Sequence, residues 1–218
     1  MDIQQYIALD KKLLLNLNGS NSLFWDGFMW VATSTYIWIP TAIILLYIII
    51  KNNKIQETLL TIAMIALVIT LADQIASGVC KPYFHRFRPT QDPDIMYIVD
   101  IVNGYRGGRF GFISSHAANT FGLAFFVWFL FRKRWLTVFM MGWALLTCYS
   151  RIYLGVHYPG DLIVGTLIGL LAAYIVYRLF LKVSGYKTMK KVPHIYAPIL
   201  VGGLTIVGIL IYSTVMIL

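Results

Sequence analysis

A chain of 218 residues with 59% hydrophobic and only 12% charged side chains falls outside the range of soluble globular domains, where about a quarter of the residues carry charge. The formal net charge of +9 points to anionic headgroups and away from nucleic acid, because basic loops orient a membrane protein and attract acidic lipids. Two cysteines, Cys80 and Cys148, exclude a disulfide framework and offer no CxxC metal-ligand spacing.

Taken in chain order, residues 1–18 place Ile3, Tyr6, Ile7, Leu9, Leu13, Leu14 and Leu17 at roughly helical spacing, which predicts an amphipathic helix lying on the membrane surface. This segment lacks the succession of basic, apolar and small residues that marks a signal peptide and is expected to be retained. A hydrocarbon core about 30 Å thick takes roughly 20 mostly apolar residues to cross as a helix. Six stretches are candidates: Leu23 to Ile50, Ile55 to Val79, Ser114 to Phe131, Trp135 to Ser150, Asp161 to Leu181 and Ile195 to Leu218. The first is overlong and carries Asp26 and Pro40. The fourth is short and borrows Arg132 to Arg134 or Arg151 at its ends by snorkelling. No repeat or low-complexity linker divides the chain. The expectation is an all-α integral membrane protein: one domain over 1–218, a six-transmembrane helical bundle with an N-terminal interfacial helix, a motif-bearing core at 73–181 and a further span at 195–218.

Ten of the eighteen basic residues, Lys51, Lys54, Arg132, Lys133, Arg134, Arg178, Lys182, Lys187, Lys190 and Lys191, fall in loops that alternation puts on one side. The positive-inside rule makes that side cytoplasmic. Lys81, Arg86, Arg88, Arg106, Arg109 and Arg151 then oppose the usual bias, and a chemical site facing outward supplies the reason.

Three segments carry that site: Lys81-PYFHRF-Arg88-Pro89, Ile113-Ser114-Ser115-His116 and Ser150-Arg151-IYLGV-His157-YPG-Asp161. In order and spacing they resemble the signature of the type 2 phosphatidic acid phosphatase superfamily, which also includes vanadium haloperoxidases: K-x6-R-P, then P-S-G-H, then S-R-x5-H-x3-D. The first and third segments match at every fixed position. The middle one departs twice, with Ile113 for Pro and Ser115 for Gly, and the resemblance runs from about Asp73 to Leu181.

The resemblance implies that His157 takes the phosphoryl group as nucleophile, that water hydrolyses the resulting phosphohistidine, and that His116 protonates the leaving group. Phosphoryl transfer spreads negative charge over the equatorial oxygens and asks the protein chiefly for positioning and cations. Lys81, Arg88 and Arg151 can clamp those oxygens, the arginines through planar forks that match phosphate, so no metal and no cofactor is expected. Ser114 stands where a helix begins, placing its hydroxyl and the N–H groups of Ser115 and His116 at the positive helix end. Serine at 115 keeps the N–H that glycine would supply. Asp161, four residues beyond His157 and just inside a helix announced by Pro159, can accept a hydrogen bond from it and fix its tautomer. A neutral His157 beside a protonated His116 implies a bell-shaped rate profile.

Other residues keep two readings. Asp73, Ser77 and Lys81 share a helix face, so Asp73 either orients Lys81 through an intermediate group or makes a structural hydrogen bond to another helix. Arg86, Arg106 and Arg109 either contact substrate or snorkel to headgroups. His85 and His194 match no motif position. Gly165 and Gly169 fit a small-xxx-small helix contact. The leading function is a metal-independent phosphatase that removes phosphate from a membrane lipid at the outer, periplasmic face of a bacterial cytoplasmic membrane. The short insert Thr90 to Phe112 leaves an open mouth that favours undecaprenyl pyrophosphate or lipid A over phosphatidylglycerol phosphate or phosphatidic acid. A transporter or flippase would place its charges near the bilayer midplane in repeated halves, whereas these cluster at one edge. A haloperoxidase holding vanadate in the same cradle has no need of hydrophobic spans. The sequence carries no signal for oligomeric state.

Overall fold

A computed structural model describes residues 2–185 and 192–217. Lys187, Lys190 and Lys191 lie outside the described residues, as do the first residue of the 1–18 segment and the last of the 195–218 segment. Helix α1 spans Ile3–Leu17 and opens on a capping box in which the Gln5 side chain accepts from Asp2 N–H at 3.2 Å. Helix α2 (Leu23–Ala32) stops short, a 3-10 turn follows at Thr35–Trp38, and α3 (Ile39–Asn52) starts with Pro40 in its first turn, where a missing N–H leaves no partner unsatisfied. The single long span expected from Leu23 to Ile50 is therefore broken, and Trp38 Nε1 donates to the Ala32 carbonyl across the break at 2.9 Å.

Helix α4 (Ile55–Asp73) runs through a π-helical segment, Gln74–Cys80, into the one-turn α5 (Lys81–Phe84), making one helical rod from Ile55 to Phe84 instead of a span ending at Val79. Such π segments occur often beside functional residues, and this one delivers Lys81. Ser114 caps α6 (Ser115–Phe131), and Arg132 ends it in a left-handed conformation, φ +50°. Helices α7 (Arg134–Tyr153), α8 (Pro159–Ser184) and α9 (Ala197–Val215) complete the set. Among the described residues the extended structure amounts to one antiparallel bridge, Phe87 to Phe110, which folds the α5–α6 connection back on itself.

Helix α6 sits centrally against α4, α7 and α8, and α9 covers α2 and α3. The α6–α8 contact is made by backbone approach, as the glycine spacing predicts. A Cβ at Gly165 would stand 2.6 Å from the Ser114 carbonyl oxygen, and one at Gly169 would stand 2.5 Å from the Ala118 carbonyl oxygen. Ser114 N–H donates to the Asp161 carbonyl at 3.2 Å. The second and third motif segments are thus locked together by main chain as well as packing. Below them Phe126, Leu130, Phe131, Val176 and Phe180 fill a common core. Four helical segments are long and apolar enough to cross a membrane by length and composition: Thr35–Asn52, Ile55–Phe84, Pro159–Ser184 and Ala197–Val215. Helix α6 is apolar but has 17 residues.

Candidate active site

The three motif segments meet at one end of the bundle. Lys81 Nζ donates to Ser115 Oγ at 3.1 Å and to Ser77 Oγ at 3.0 Å, and Ser77 Oγ in turn donates to Asp73 Oδ1 at 3.3 Å. A polar relay therefore runs down the inner face of the rod and holds the ammonium against the start of α6. Arg88 is fixed from the loop side, its Nε donating to the Phe110 carbonyl at 3.2 Å and its Nη1 to the Val156 carbonyl at 3.3 Å. Gly111 permits this, since a Cβ there would stand 3.1 Å from Arg88 Cγ and 3.2 Å from Asp161 Oδ2. Arg151, 3% exposed, donates from Nη1 to Thr33 Oγ1 at 2.9 Å and from Nη2 to the Tyr105 hydroxyl at 3.2 Å. The break between α2 and α3 thus has a use: it brings Thr33 to the motif arginine.

His157 is 1% exposed, with Nδ1 3.3 Å from Asp161 Oδ2 and a hydrogen bond between its ring and the Gly111 backbone. Burial, together with the positive fields of Arg88, Arg151 and Lys81, holds the imidazole well below its ordinary pKa, so the ring is neutral at physiological pH. The same crowding acts on Arg88, which burial and the neighbouring Arg151 guanidinium push below its ordinary value. Nδ1 is the ring nitrogen turned to Asp161. Asp161 is fully buried and also accepts from Tyr158 N–H at 3.0 Å.

Ser114, also fully buried, spends its hydroxyl on the cap, accepting from Ala117 N–H at 3.4 Å. His116 lies one residue into α6 and is among the residues that line a cavity of about 520 Å³ between α3, α4, α6 and α7. Four of its apolar lining residues, Ile39, Leu46, Ile62 and Ile69, are also exposed on the outside of the bundle. Arg106 exchanges hydrogen bonds with Thr90, Nη1 to the Thr90 carbonyl at 2.8 Å and the Thr90 hydroxyl to the Arg106 carbonyl at 2.7 Å, and so stitches the insert loop. Arg109 lies over the rings of Phe87 and Phe110 at 5.3 and 5.4 Å.

A further group of residues has no motif to announce it. Arg86 bridges two carboxylates, Asp161 at 2.9 Å and Asp10 of α1 at 2.7 Å. Asp10 also accepts from Gly160 N–H at 2.8 Å. Next to it Lys11 pairs with Asp92 at 2.9 Å and Asp94 at 2.6 Å, and Asp92 accepts from the Tyr158 hydroxyl at 2.6 Å. Helix α1 therefore grips the His157–Asp161 turn on both sides. The available signal was a pair of adjacent charges, Asp10 and Lys11, on the same helical face as Leu14, which is fully buried, while Ile3, Tyr6, Leu13 and Leu17 remain exposed.

Cations gathered around a buried, neutral histidine, at one end of a bundle that includes helices long and apolar enough to cross a membrane, define a class of protein that handles an anionic group. The chain belongs to the PAP2 superfamily, which matches residues 62–184. It is 44% identical over 216 residues to the lipid A 4'-phosphatase of Bacteroides thetaiotaomicron, an alignment covering 95% of this chain and 96% of that one. It is 35% identical over 179 residues to the lipid A 4'-phosphatase of Porphyromonas gingivalis, covering 82% and 76%. Similarity to the undecaprenyl-diphosphatase of Sulfolobus acidocaldarius is 29% over 137 residues, covering 62% and 59%. The crystal structure of Aquifex aeolicus LpxE superposes with a TM-score of 0.60 at 25% identity, over 77% of this chain and 93% of that one.

Proposed function

We propose that this protein is a phosphatase of membrane lipids that removes a phosphate at the outer face through a phosphohistidine on His157. The observation that carries the reading is the neutral, buried His157 paired with Asp161 under three cations, Lys81, Arg88 and Arg151. A neutral imidazole has a lone pair to give, and the cations stabilise the charge that develops on the equatorial oxygens without reorganising. Asp161 holds Nδ1 and its proton, so Nε2 attacks phosphorus while the lipid oxygen leaves. His116 donates the proton to that oxygen and then takes one from the water that cleaves the phosphohistidine. Ser115, Ser114 and the N-terminal N–H groups of α6 complete the cradle, and Asp73 orients Lys81 through Ser77.

Six spans fit this reading: Thr35–Asn52, Ile55–Phe84, Ser115–Phe131, Arg134–Tyr153, Pro159–Ser184 and Ala197–Val215. Helices α6 and α7 can be shorter or less apolar because neighbouring helices shield them. The chain acts as one unit, a core at 73–181 with α1 lying on the surface through its exposed Ile3, Tyr6, Leu13 and Leu17 and with a further C-terminal span. Placing the positive loops inside puts the site on the periplasmic side of the cytoplasmic membrane. Lipid A phosphate is favoured over undecaprenyl pyrophosphate because relatives of the first kind match over most of the chain.

The test is phosphate release by purified protein in detergent with EDTA, offered lipid A, undecaprenyl pyrophosphate, phosphatidylglycerol phosphate and phosphatidic acid beside His157→Ala. Release that the substitution abolishes supports the reading, and millimolar vanadate should inhibit it as a transition-state mimic. No release from any of the four by folded protein contradicts it.

A further inference from the structure

Among the described residues, five buried side-chain atoms have no hydrogen-bond partner in the chain: Thr41 Oγ1, Thr58 Oγ1, Asn119 Oδ1, Trp143 Nε1 and Arg151 Nε. Leaving such an atom unpaired costs roughly 1–3 kcal/mol, so folded proteins keep few of them. All but Thr58, in the first turn of α4, belong to the cavity wall or the cradle. Thr41, Asn119 and Trp143 all line the cavity that His116 also lines, and Arg151 belongs to the phosphate cradle. The rest of that cavity is walled by residues such as Leu45, Ile49, Ile65, Leu123 and Met140.

The three lie at different depths along the cavity. Asn119 follows His116 by three residues on α6, about 4.5 Å deeper along the axis, and Trp143 precedes Arg151 by eight residues on α7, about 12 Å away. Thr41 sits in the first turn of α3. Their hydrogen-bonding roles differ: Trp143 Nε1 only donates, Asn119 Oδ1 only accepts, and the Thr41 hydroxyl does both.

We propose that this polar part of the cavity wall is a subsite for the oxygen and nitrogen functions that join acyl chains to a phosphosugar. An acyl carbonyl accepts from Trp143 and Thr41, and a hydroxyl or amide N–H of the same lipid donates to Asn119. The proposal rests on the lipid phosphatase reading and names its substrate class. An acylated phosphosugar such as lipid A carries both kinds of group within a sugar ring of its phosphate. Phosphatidic acid carries ester carbonyls, which only accept. A polyprenyl pyrophosphate is hydrocarbon beyond its phosphates and leaves all three protein atoms unpaired. A site built to hydrogen-bond one substrate discriminates strongly against another that lacks the group.

The experiment measures kcat/KM for lipid A, phosphatidic acid and undecaprenyl pyrophosphate with wild type, Asn119→Leu, Trp143→Phe and Thr41→Val. Trp143→Phe should lower the lipid A to undecaprenyl pyrophosphate ratio, and the phosphatidic acid ratio with it, by about tenfold. Asn119→Leu should lower the lipid A ratio alone. The isosteric Thr41→Val, with Trp143→Phe, carries the test if Asn119→Leu does not fold. Ratios that stay at wild-type values in variants that still release phosphate overturn the subsite while leaving the phosphatase reading intact. Absence of release from all three lipids by wild type defeats that reading, and the subsite with it.

Discussion

Arg86 Nη1 stands 2.9 Å from Asp161 Oδ1, and Nη2 of the same guanidinium is 2.7 Å from Asp10 Oδ2. The fully buried Asp161 thus has its charge balanced by a residue outside the fixed motif positions, and the orienting carboxylate of His157 is tied to the N-terminal helix. Removing one partner of a buried ion pair leaves the other uncompensated, at a cost of about 3–5 kcal/mol. Arg86→Met should lower the melting temperature and reduce kcat by about a hundredfold in well-folded protein. Arg86→Lys should recover part of the stability, because a single ammonium cannot serve both carboxylates as the fork does. Thermal unfolding and steady-state rates check this.

Asp10 acts at one remove, through Arg86 and Gly160 N–H. Asp10→Asn should reduce kcat about tenfold with little change in KM, the mark of a positioning residue. Along the same helix, Leu13 is exposed, and Leu13→Asp should weaken activity in vesicles and spare it in detergent, if the exposed stripe seats α1 on the bilayer. Equal activity of Leu13→Asp in both media would contradict that seating.

Much of the geometry of the candidate site was legible because it is written as local spacing. Lys81 to Arg88, Ser114 to His116 and Arg151 to Asp161 each sit on one short segment, and their order alone suggests that they converge. The Gly165–Gly169 contact was legible for the same reason. Partners drawn from far along the chain were not: Thr33 meets Arg151, Tyr105 meets Arg151, and Asp10 meets Arg86. No periodicity encodes a pairing across 118 residues, as between Thr33 and Arg151. The break at Thr33 to Trp38 was hidden because Pro40 is tolerated in a first helical turn as readily as it ends a helix. Hydropathy likewise reads straight through the π-helical turn before Lys81, since a change of winding leaves apolar content unaltered.

The neutral state of His157 sets a pH dependence with a definite sign. Its folded pKa lies well below that of the unfolded chain, about 6.5. Below that pH the unfolded chain takes up a proton that the folded one does not, so stability is full above about pH 6.5 and declines as pH falls through it. His157→Gln should flatten the fall in melting temperature between about pH 7 and 5. In wild type, kcat/KM should not show a tenfold loss per unit from protonation of His157 in that interval. An acid limb centred near pH 6.5 that His116→Gln leaves in place would contradict this.

At Gly165 any side chain meets the Ser114 carbonyl oxygen, 2.6 Å from the Cβ position. Backbone cannot yield as a side-chain tip can, so Gly165→Leu should destabilise by about 1–3 kcal/mol and separate His116 from Asp161. Gly142, with open space around it, is the control: Gly142→Ala should be near neutral or slightly stabilising, since Ala favours helix by about 1 kcal/mol. Denaturation of both variants checks the contrast.

The most direct measurement is a rapid acid-free quench of the protein with a lipid substrate labelled in its phosphate, followed by peptide mapping. The account predicts transient label, stable to alkali and lost in acid, on the peptide containing His157, and none in His157→Ala. Label on another residue, or phosphate release by His157→Ala at the wild-type rate, would contradict it.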